Sequence, residues 1–103
     1  MTTLVKICGM TDSNAVDAAI DAGADALGFV FCEQSPRNLV PEDAARLAAS
    51  IPRNVKKVAV MMHPSAVLWE RVQKNFRPQV LQTDAEDFSY LNVKADIEKL
   101  TML

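Results

Sequence analysis

Three polar side chains stand at positions where they could support acid–base chemistry on a small substrate. Cys8 is the last residue of an apolar stretch and precedes Gly9. Arg37 lies in a polar loop, directly after Ser35 and Pro36. Asp84 follows another apolar stretch. A thiol at the start of a helix can serve as a base or a nucleophile. A guanidinium can hold a carboxylate through two parallel hydrogen bonds. Together these residue types could supply a base or nucleophile and a group that binds a substrate carboxylate.

Each of these residues also has a purely structural interpretation. Free cysteines are often buried as small apolar side chains, so Cys8 could simply pack. Arg37 could be a solvated loop residue, and Asp84 could cap a following helix. His63 can titrate near neutrality, but a histidine before a proline more often only precedes a helix. Cys32, just beyond another strand, is interpreted as a packing residue.

The composition excludes several classes of protein. The chain has 103 residues, of which 50% are hydrophobic and 23% charged, and its formal net charge is −2. This is the composition of a globular domain, with no basic patch for nucleic acid. No apolar run is long enough to span a membrane, and the first residues do not form a secretory signal, which predicts a cytoplasmic chain. Two cysteines without a CxxC pair predict free thiols and no zinc site.

Apolar stretches of strand length alternate with segments of helical periodicity. Strands are predicted over residues 4–8, 26–31, 58–62 and 79–82, and residues 97–103 are apolar enough to begin a fifth. The first helix should be capped by Thr11 or Asp12 and end before Gly23. The second should begin at Pro41 and end by Pro52. A third is expected to open at residues 63–64, and a weaker helical stretch covers residues 86–91. The predicted apolar face of the third helix consists of Val67, Leu68, Val72 and Phe76.

Strands alternating with helices predict a parallel α/β sheet with right-handed crossovers. Such a series closes either as an open, doubly wound sheet or as a (β/α)8 barrel. The sequence contains no G-x-G-x-x-G and no Walker loop, so nothing indicates nucleotide binding. Four βα units in this length project to about twice the chain for a complete barrel. This length therefore indicates that residues 1–103 are a single domain and half of a larger series of βα units, with both closed arrangements still open.

Three blocks of the sequence resemble one enzyme family. K-I-C-G-M-T at residues 6–11 is similar to the opening motif of the phosphoribosylanthranilate isomerases. G-A-D-A-L-G-F-V-F at residues 23–31 is similar to their second strand. S-P-R at residues 35–37, with V-P-E-D-A at residues 40–44, is similar to the loop and helix that follow. The resemblance runs from residue 4 to about residue 87 and is specific, because the blocks keep their order and spacing.

The resemblance implies a TIM (β/α)8 barrel enzyme of tryptophan biosynthesis that catalyses an Amadori rearrangement. Residues 1–103 would then be a single domain made of the first four βα units, or half, of that barrel. N-(5-phosphoribosyl)anthranilate would become 1-(2-carboxyphenylamino)-1-deoxyribulose 5-phosphate, with no metal and no organic cofactor. By the same resemblance, Cys8 would be the general base and Arg37 would contact the anthranilate moiety. Asp84 occupies a position where the family often has a substrate-site histidine, and His63 one where an asparagine is common. The family's general-acid aspartate and phosphate-binding loops lie in the second half of its barrel, beyond the positions matched here.

A half-barrel would leave two unpaired strand edges and an apolar inner face, which predicts association. The expected partner is a second copy of the chain or a C-terminal half-barrel, and the expected ligand is a phosphorylated aminosugar. Three functional interpretations follow: an isomerase that is inactive as this chain alone, a non-catalytic half-barrel fragment, or a flavodoxin-like binding module. The three matching blocks favour the first two.

Overall fold

The computed structural model describes residues 5–84 and 89–101, which form one parallel sheet with helices between its strands. The five strands are β1 (Lys6–Cys8), β2 (Ala26–Val30), β3 (Lys56–Met61), β4 (Val80–Thr83) and β5 (Glu98–Thr101). The helices are α1 (Ser13–Asp21), α2 (Pro41–Ala48) and α3 (Ala66–Arg71). Helix α3 continues as a π-helical segment, Val72–Phe76, and Ser89–Leu91 form a 3₁₀ turn. None of the helices in these two ranges is long and apolar enough to cross a membrane.

The strands lie side by side in the order of the sequence, β1-β2-β3-β4-β5, and every neighbouring pair is parallel. A flavodoxin-like sheet has the order 2-1-3-4-5 instead. The flavodoxin-like alternative is therefore wrong. An uninterrupted sequential order with right-handed crossovers is the arrangement of barrel strands, because each crossover helix then lies on the same face of the sheet.

The core lies between the sheet and its helices. Alternate residues of the strands face this layer and are 0% exposed, namely Leu27, Phe29, Ala59, Met61 and Leu81. The ring of Phe76, from the π-helical segment, meets Phe29 edge-on with ring centroids 5.0 Å apart. Phe76 meets Phe31 in the same manner at 5.3 Å. These ring contacts pack the π-helical segment, which lies between β3 and β4 in the chain, against β2.

The other face of the sheet is concave. Lys6 on β1 donates a hydrogen bond to the side-chain oxygen of Gln82 on β4, although β2 and β3 lie between these strands. In a flat sheet these two strands would lie about 14 Å apart, since neighbouring strands are about 4.8 Å apart and side chains stand roughly perpendicular to the sheet. The sheet therefore curls about this face, as barrel strands do.

Most predicted elements are present, with changes at their ends. Asp12 caps α1 by accepting a hydrogen bond from the Ala15 N–H at 2.8 Å, and Gly23 follows the helix at φ 87°. The fifth strand, which residues 97–103 were expected to begin, forms over Glu98–Thr101 and pairs with β4, so the described sheet has five strands. Of the weak helix expected over residues 86–91, residues 85–88 lie outside the described residues and Ser89–Leu91 form the 3₁₀ turn.

The third helix departs most from its prediction. It begins at Ala66 instead of at residues 63–64, because Ser65 is the residue whose hydroxyl caps it, 3.1 Å from the Leu68 N–H. The predicted apolar face was wrong at Val67, which is 72% exposed, whereas Trp69 is fully buried. Trp69 and Val72 are three residues apart, so they share the face of the helix that belongs to the core.

Candidate active site

Cys8 stands at the carboxyl end of β1, where parallel α/β proteins carry their functional residues. Its side chain is exposed on the concave face. The carbonyl of Gly28, its partner on β2, accepts hydrogen bonds from the N–H groups of Gly9 (2.9 Å) and Met10 (3.2 Å). These two hydrogen bonds hold the turn after β1 against β2. They therefore fix the position of the thiol at the carboxyl edge of the sheet.

Gly28 leaves the space in which the thiol lies. A methyl group at Gly28 would stand 2.9 Å from the Cys8 Sγ and 3.2 Å from the Cys8 Cα, both closer than normal packing permits. The sequence analysis did not identify Gly28 as a site residue. The available signal was a glycine in the middle of an otherwise large apolar strand, which often marks the close approach of another group.

Arg37 lies directly over Gly9. A methyl group at Gly9 would stand 2.6 Å from the Arg37 Cδ and 2.8 Å from its Nη1, and Gly9 has a φ of 84°. The residue after Cys8 must therefore be a glycine for two reasons, its backbone conformation and the close approach of the arginine. The structure thus brings the guanidinium of Arg37 next to the backbone that carries Cys8.

The loop after β2 folds back to put Arg37 there. The N–H of Leu39 bonds to the Val30 carbonyl at 2.9 Å, so the chain returns beside the end of β2. The Ser35 side chain accepts a hydrogen bond from the Arg37 N–H at 3.1 Å, and the Ser35 carbonyl accepts one from Asn38 at 3.1 Å. Two local turns therefore present the arginine toward β1.

Asp84 directly follows β4 at the same carboxyl edge of the sheet. It contacts His63 after β3, whereas Arg37 approaches Gly9 after β1. Its Oδ1 accepts the backbone N–H of His63 at 2.8 Å and lies 3.3 Å from the Thr83 hydroxyl. Its Oδ2 lies 3.0 Å from His63 Nδ1. The hydrogen bond from the His63 backbone, with the charge of the imidazole when protonated, holds the pKa of Asp84 below its ordinary value. Asp84 is thus joined to the end of β3 and remains a carboxylate.

His63 is held in an uncommon conformation by these contacts. Its φ is 44°, in the left-handed region, and its side chain is 86% exposed. Non-glycine residues adopt this conformation mainly where the surroundings impose it. The sequence analysis named both residues but did not pair them, because they are 21 positions apart in the chain.

The remaining cysteine does not join this group. Cys32 is 9% exposed, and its Sγ lies 3.7 Å from the Gln34 side-chain oxygen, in agreement with its interpretation as a packing residue. Among residues 5–84 and 89–101, no three His, Cys, Asp or Glu side chains are grouped to hold a metal ion.

Comparison with known proteins relates this geometry to one family. Residues 5–101 match the family described as N-(5′-phosphoribosyl)anthranilate (PRA) isomerase. An isomerase of that name from Caulobacter sp. strain K31 is 46% identical over 83 residues, which are 80% of this chain and 39% of the relative. One from Parvibaculum lavamentivorans is 40% identical over 87 residues, 84% of this chain and 40% of the relative.

Solved structures show the same relationship. The phosphoribosylanthranilate isomerase of Thermotoga maritima is 32% identical and superposes with a TM-score of 0.77, over 84% of this chain and 42% of its own. A second structure, also 32% identical with a TM-score of 0.77, is an isomerase in complex with reduced 1-(o-carboxyphenylamino)-1-deoxyribulose 5-phosphate; the match covers 84% of this chain and 44% of that one. The chain spans about two fifths of the length of the curated relatives it matches. Family match, sequence identity and sheet order agree, and the chain belongs to the phosphoribosylanthranilate isomerase family.

Proposed function

We propose that this chain carries the base and the carboxylate-binding arginine of an enzyme that isomerises N-(5′-phosphoribosyl)anthranilate in tryptophan biosynthesis. The observation that supports this most directly is the position of Arg37 over Gly9, beside the exposed thiol of Cys8. The reaction converts an aminoaldose into an aminoketose, so one carbon is reduced while its neighbour is oxidised. Because both changes occur within one molecule, proton transfers suffice and no redox cofactor or metal is required.

In this proposal Cys8, as the thiolate, removes the proton from C2 of the open-chain Schiff base. The resulting enolamine is protonated at C1 and loses the proton of its C2 hydroxyl, which gives the ketone. Arg37 holds the substrate through the carboxylate on its aromatic ring, because a planar guanidinium matches a planar carboxylate. Asp84 is assigned to the substrate-binding part of the same site. The acid that opens the ribose ring and the loops that hold the phosphate are assigned to family positions outside residues 5–101.

We further propose that the five described strands are part of an eight-stranded barrel. Their sequential order, the curl of the sheet and the match to about two fifths of each relative support this. The three remaining strands would come from other residues. A cytoplasmic location is supported by the substrate, since a phosphorylated sugar does not cross membranes.

Turnover can be followed through the loss of substrate fluorescence. We expect the 103-residue chain alone to turn over little or no substrate, because it lacks the family's acid and phosphate loops. Adding the C-terminal part of a related isomerase should restore turnover, and Cys8→Ala should abolish the restored activity. General acid–base groups contribute about 10²–10⁴-fold each. Restored turnover that survives Cys8→Ala would contradict the proposal.

A second candidate function, a non-catalytic unit of the same fold, is favoured by one observation, the limited share of each relative that the chain covers. The complementation experiment separates the two. If the complemented chain folds and associates but stays inactive, the non-catalytic interpretation is correct.

A further inference from the structure

We infer that Lys6 is a positioning residue for the reaction, because its hydrogen bond to Gln82 fixes the separation between the Cys8 thiol on β1 and the end of β4. The bond passes over β2 and β3, which lie between these two strands. This inference rests on the proposed function, since it takes Cys8 as the base. It adds a residue that acts through Cys8 and does not itself touch the substrate.

Lys6 and Cys8 lie on the same face of β1. Ile7, between them, packs against the core under the helices, and side chains alternate along a strand, so both neighbours point to the concave face. The two residues are about 6.6 Å apart along the strand. Gln82 likewise precedes Asp84 by two residues on the parallel strand β4. The Lys6–Gln82 bond therefore determines how far apart the two strand ends lie.

Two buried valines mark the path of the Lys6 side chain. The register places Val58 on β3 and Val80 on β4 in line with Cys8, on the concave face. They are 2% and 3% exposed, although neither belongs to the core cluster under the helices. A lysine that reaches from β1 to β4 lays its methylene chain over this face, and such chains cover apolar side chains while the ammonium keeps a polar partner.

Strand β1 needs this contact because it is short and lies at the edge of the described sheet. Its three residues pair with β2. Beyond the strand, the Val5 carbonyl and the N–H groups of Gly9 and Met10 bond to residues 25–28. All these bonds hold β1 to β2 and leave its angle to β4 dependent on the twist of the strands between. The hydrogen bond from the Lys6 ammonium, of the stronger, charge-assisted kind, fixes that angle.

Lys56 provides a matched control on the same face of the sheet. It stands in register with Ala26 and Lys6, so its side chain points to the concave face as well. Lys56 is exposed, and no hydrogen bond or ion pair joins its side chain to another described residue. Lys56→Met therefore removes the same kind of charge without removing a contact between strands.

The first experiment measures the strands in the 103-residue chain by NMR. Residual dipolar couplings of the amide N–H groups report the orientation of β1 relative to β4, and NOEs report contact between the Lys6 methylenes and the methyl groups of Val58 and Val80. We expect these NOEs in the wild type. Lys6→Met should change the couplings of β1 relative to those of β4, and Lys56→Met should not. Unchanged couplings in Lys6→Met, or absence of the NOEs, would overturn the inference.

The second experiment measures turnover after complementation with the C-terminal part of a related isomerase. Lys6→Met should lower kcat on the order of a hundredfold, the size of effect that a displacement of about 1 Å can have, with a smaller change in KM. The exchanged pair, Lys6→Gln with Gln82→Lys, should restore both kcat and the couplings, because it rebuilds the bond from the opposite strand. A pair that stays as slow as Lys6→Met would contradict positioning through the bond, since the loss would then follow the charge at position 6.

The outcomes separate this inference from the proposed function. If the complemented wild type turns over substrate and Lys6→Met is equally active, the inference is wrong and the proposed function stands. If the complemented wild type is inactive, the proposed function fails, and the dipolar couplings still decide whether Lys6 fixes β1 against β4.

Discussion

At the scale of single residues, the candidate site depends on two glycines as much as on its polar side chains. Gly9 lets the Arg37 side chain lie within packing distance of the backbone after Cys8, and Gly28 leaves room for the thiol itself. Neither glycine takes part in chemistry. Each determines where a reactive group can lie, so substitutions at these positions test the site without removing its functional groups.

Gly28→Ala should displace the thiol and reduce activity. The added methyl group would meet the Sγ and the Cα of Cys8, and the latter is backbone that can move only with its strand. A displacement of about 1 Å can lower turnover on the order of a hundredfold. Turnover of the complemented enzyme measures this, with the folded fraction checked by circular dichroism.

Gly23→Ala is the matched control for that substitution. Gly23 has a φ of 87°, but no atom outside its chain neighbours lies within 4 Å of the added methyl group. The expected cost is stability alone, about 1 kcal/mol, because alanine is strained in this conformation. Equal losses of turnover in the two variants, after correction for folding, would contradict the steric role of Gly28.

The Asp84 carboxyl should make stability depend on acid pH. Its pKa is lower in the folded chain, chiefly through the hydrogen bond from the His63 N–H. The ionised form therefore stabilises the fold above the ordinary aspartate pKa of about 4, and this contribution is lost as the pH falls through the lower folded value. The gap in urea midpoint between wild type and Asp84→Asn should narrow as the pH is lowered below about 4. Fluorescence of Trp69, the single tryptophan, follows unfolding, and a constant gap would contradict the assignment.

At the scale of elements, capping residues determine where the crossover helices begin. Asp12 and Ser65 each accept a hydrogen bond from an N–H three residues later. Helix α2 instead starts with Pro41 and carries Glu42 and Asp43 in its first turn, where negative charge favours the helix dipole. The π-helical segment after α3 shifts Phe76 into contact with β2, and Lys57 on β3 donates to the Phe76 carbonyl at 2.7 Å. These local contacts set the length of the crossover that precedes β4.

Ser65→Ala should destabilise the fold by about 1 kcal/mol, because the Leu68 N–H loses its partner at the start of a short helix. Urea unfolding measures the change. Ser65→Gly should cost only a few tenths of that, since glycine suits the capping conformation and leaves the N–H open to water. Equal costs for the two variants would contradict the capping role.

At the scale of the whole molecule, the sheet of the described residues has β1 and β5 at its edges, and the helices described there pack against one of its faces. Parallel sheets are normally covered on both faces. Large apolar side chains are exposed at both edges, with Val5 44% and Leu100 43% accessible. These features favour association with further strands, which is the basis of the proposed barrel.

Leu100→Lys should therefore weaken self-association or complementation. A charged side chain on an edge strand opposes pairing with another chain. Light scattering on a concentration series measures the molar mass. Val67→Lys is the control, because Val67 is 72% exposed on α3, on the helical side of the sheet. An identical molar mass for the wild type and Leu100→Lys, at a value above that of one chain, would show that association uses another surface.

The sequence by itself determined the alternation of strands and helices, a first helix capped at Thr11 or Asp12 and ending before Gly23, and the family. It also placed Cys8 at the end of a strand and Arg37 in the loop after the next strand. These features depend on neighbours within a few residues or on motifs of short, regular spacing. Only the tertiary structure decided the strand order, the curl that joins Lys6 to Gln82 across 76 positions, the space at Gly28 and the pairing of His63 with Asp84. The physical reason is that such contacts depend on how distant strands twist and pack together, and hydrophobic periodicity within one strand carries no information about its distant partners.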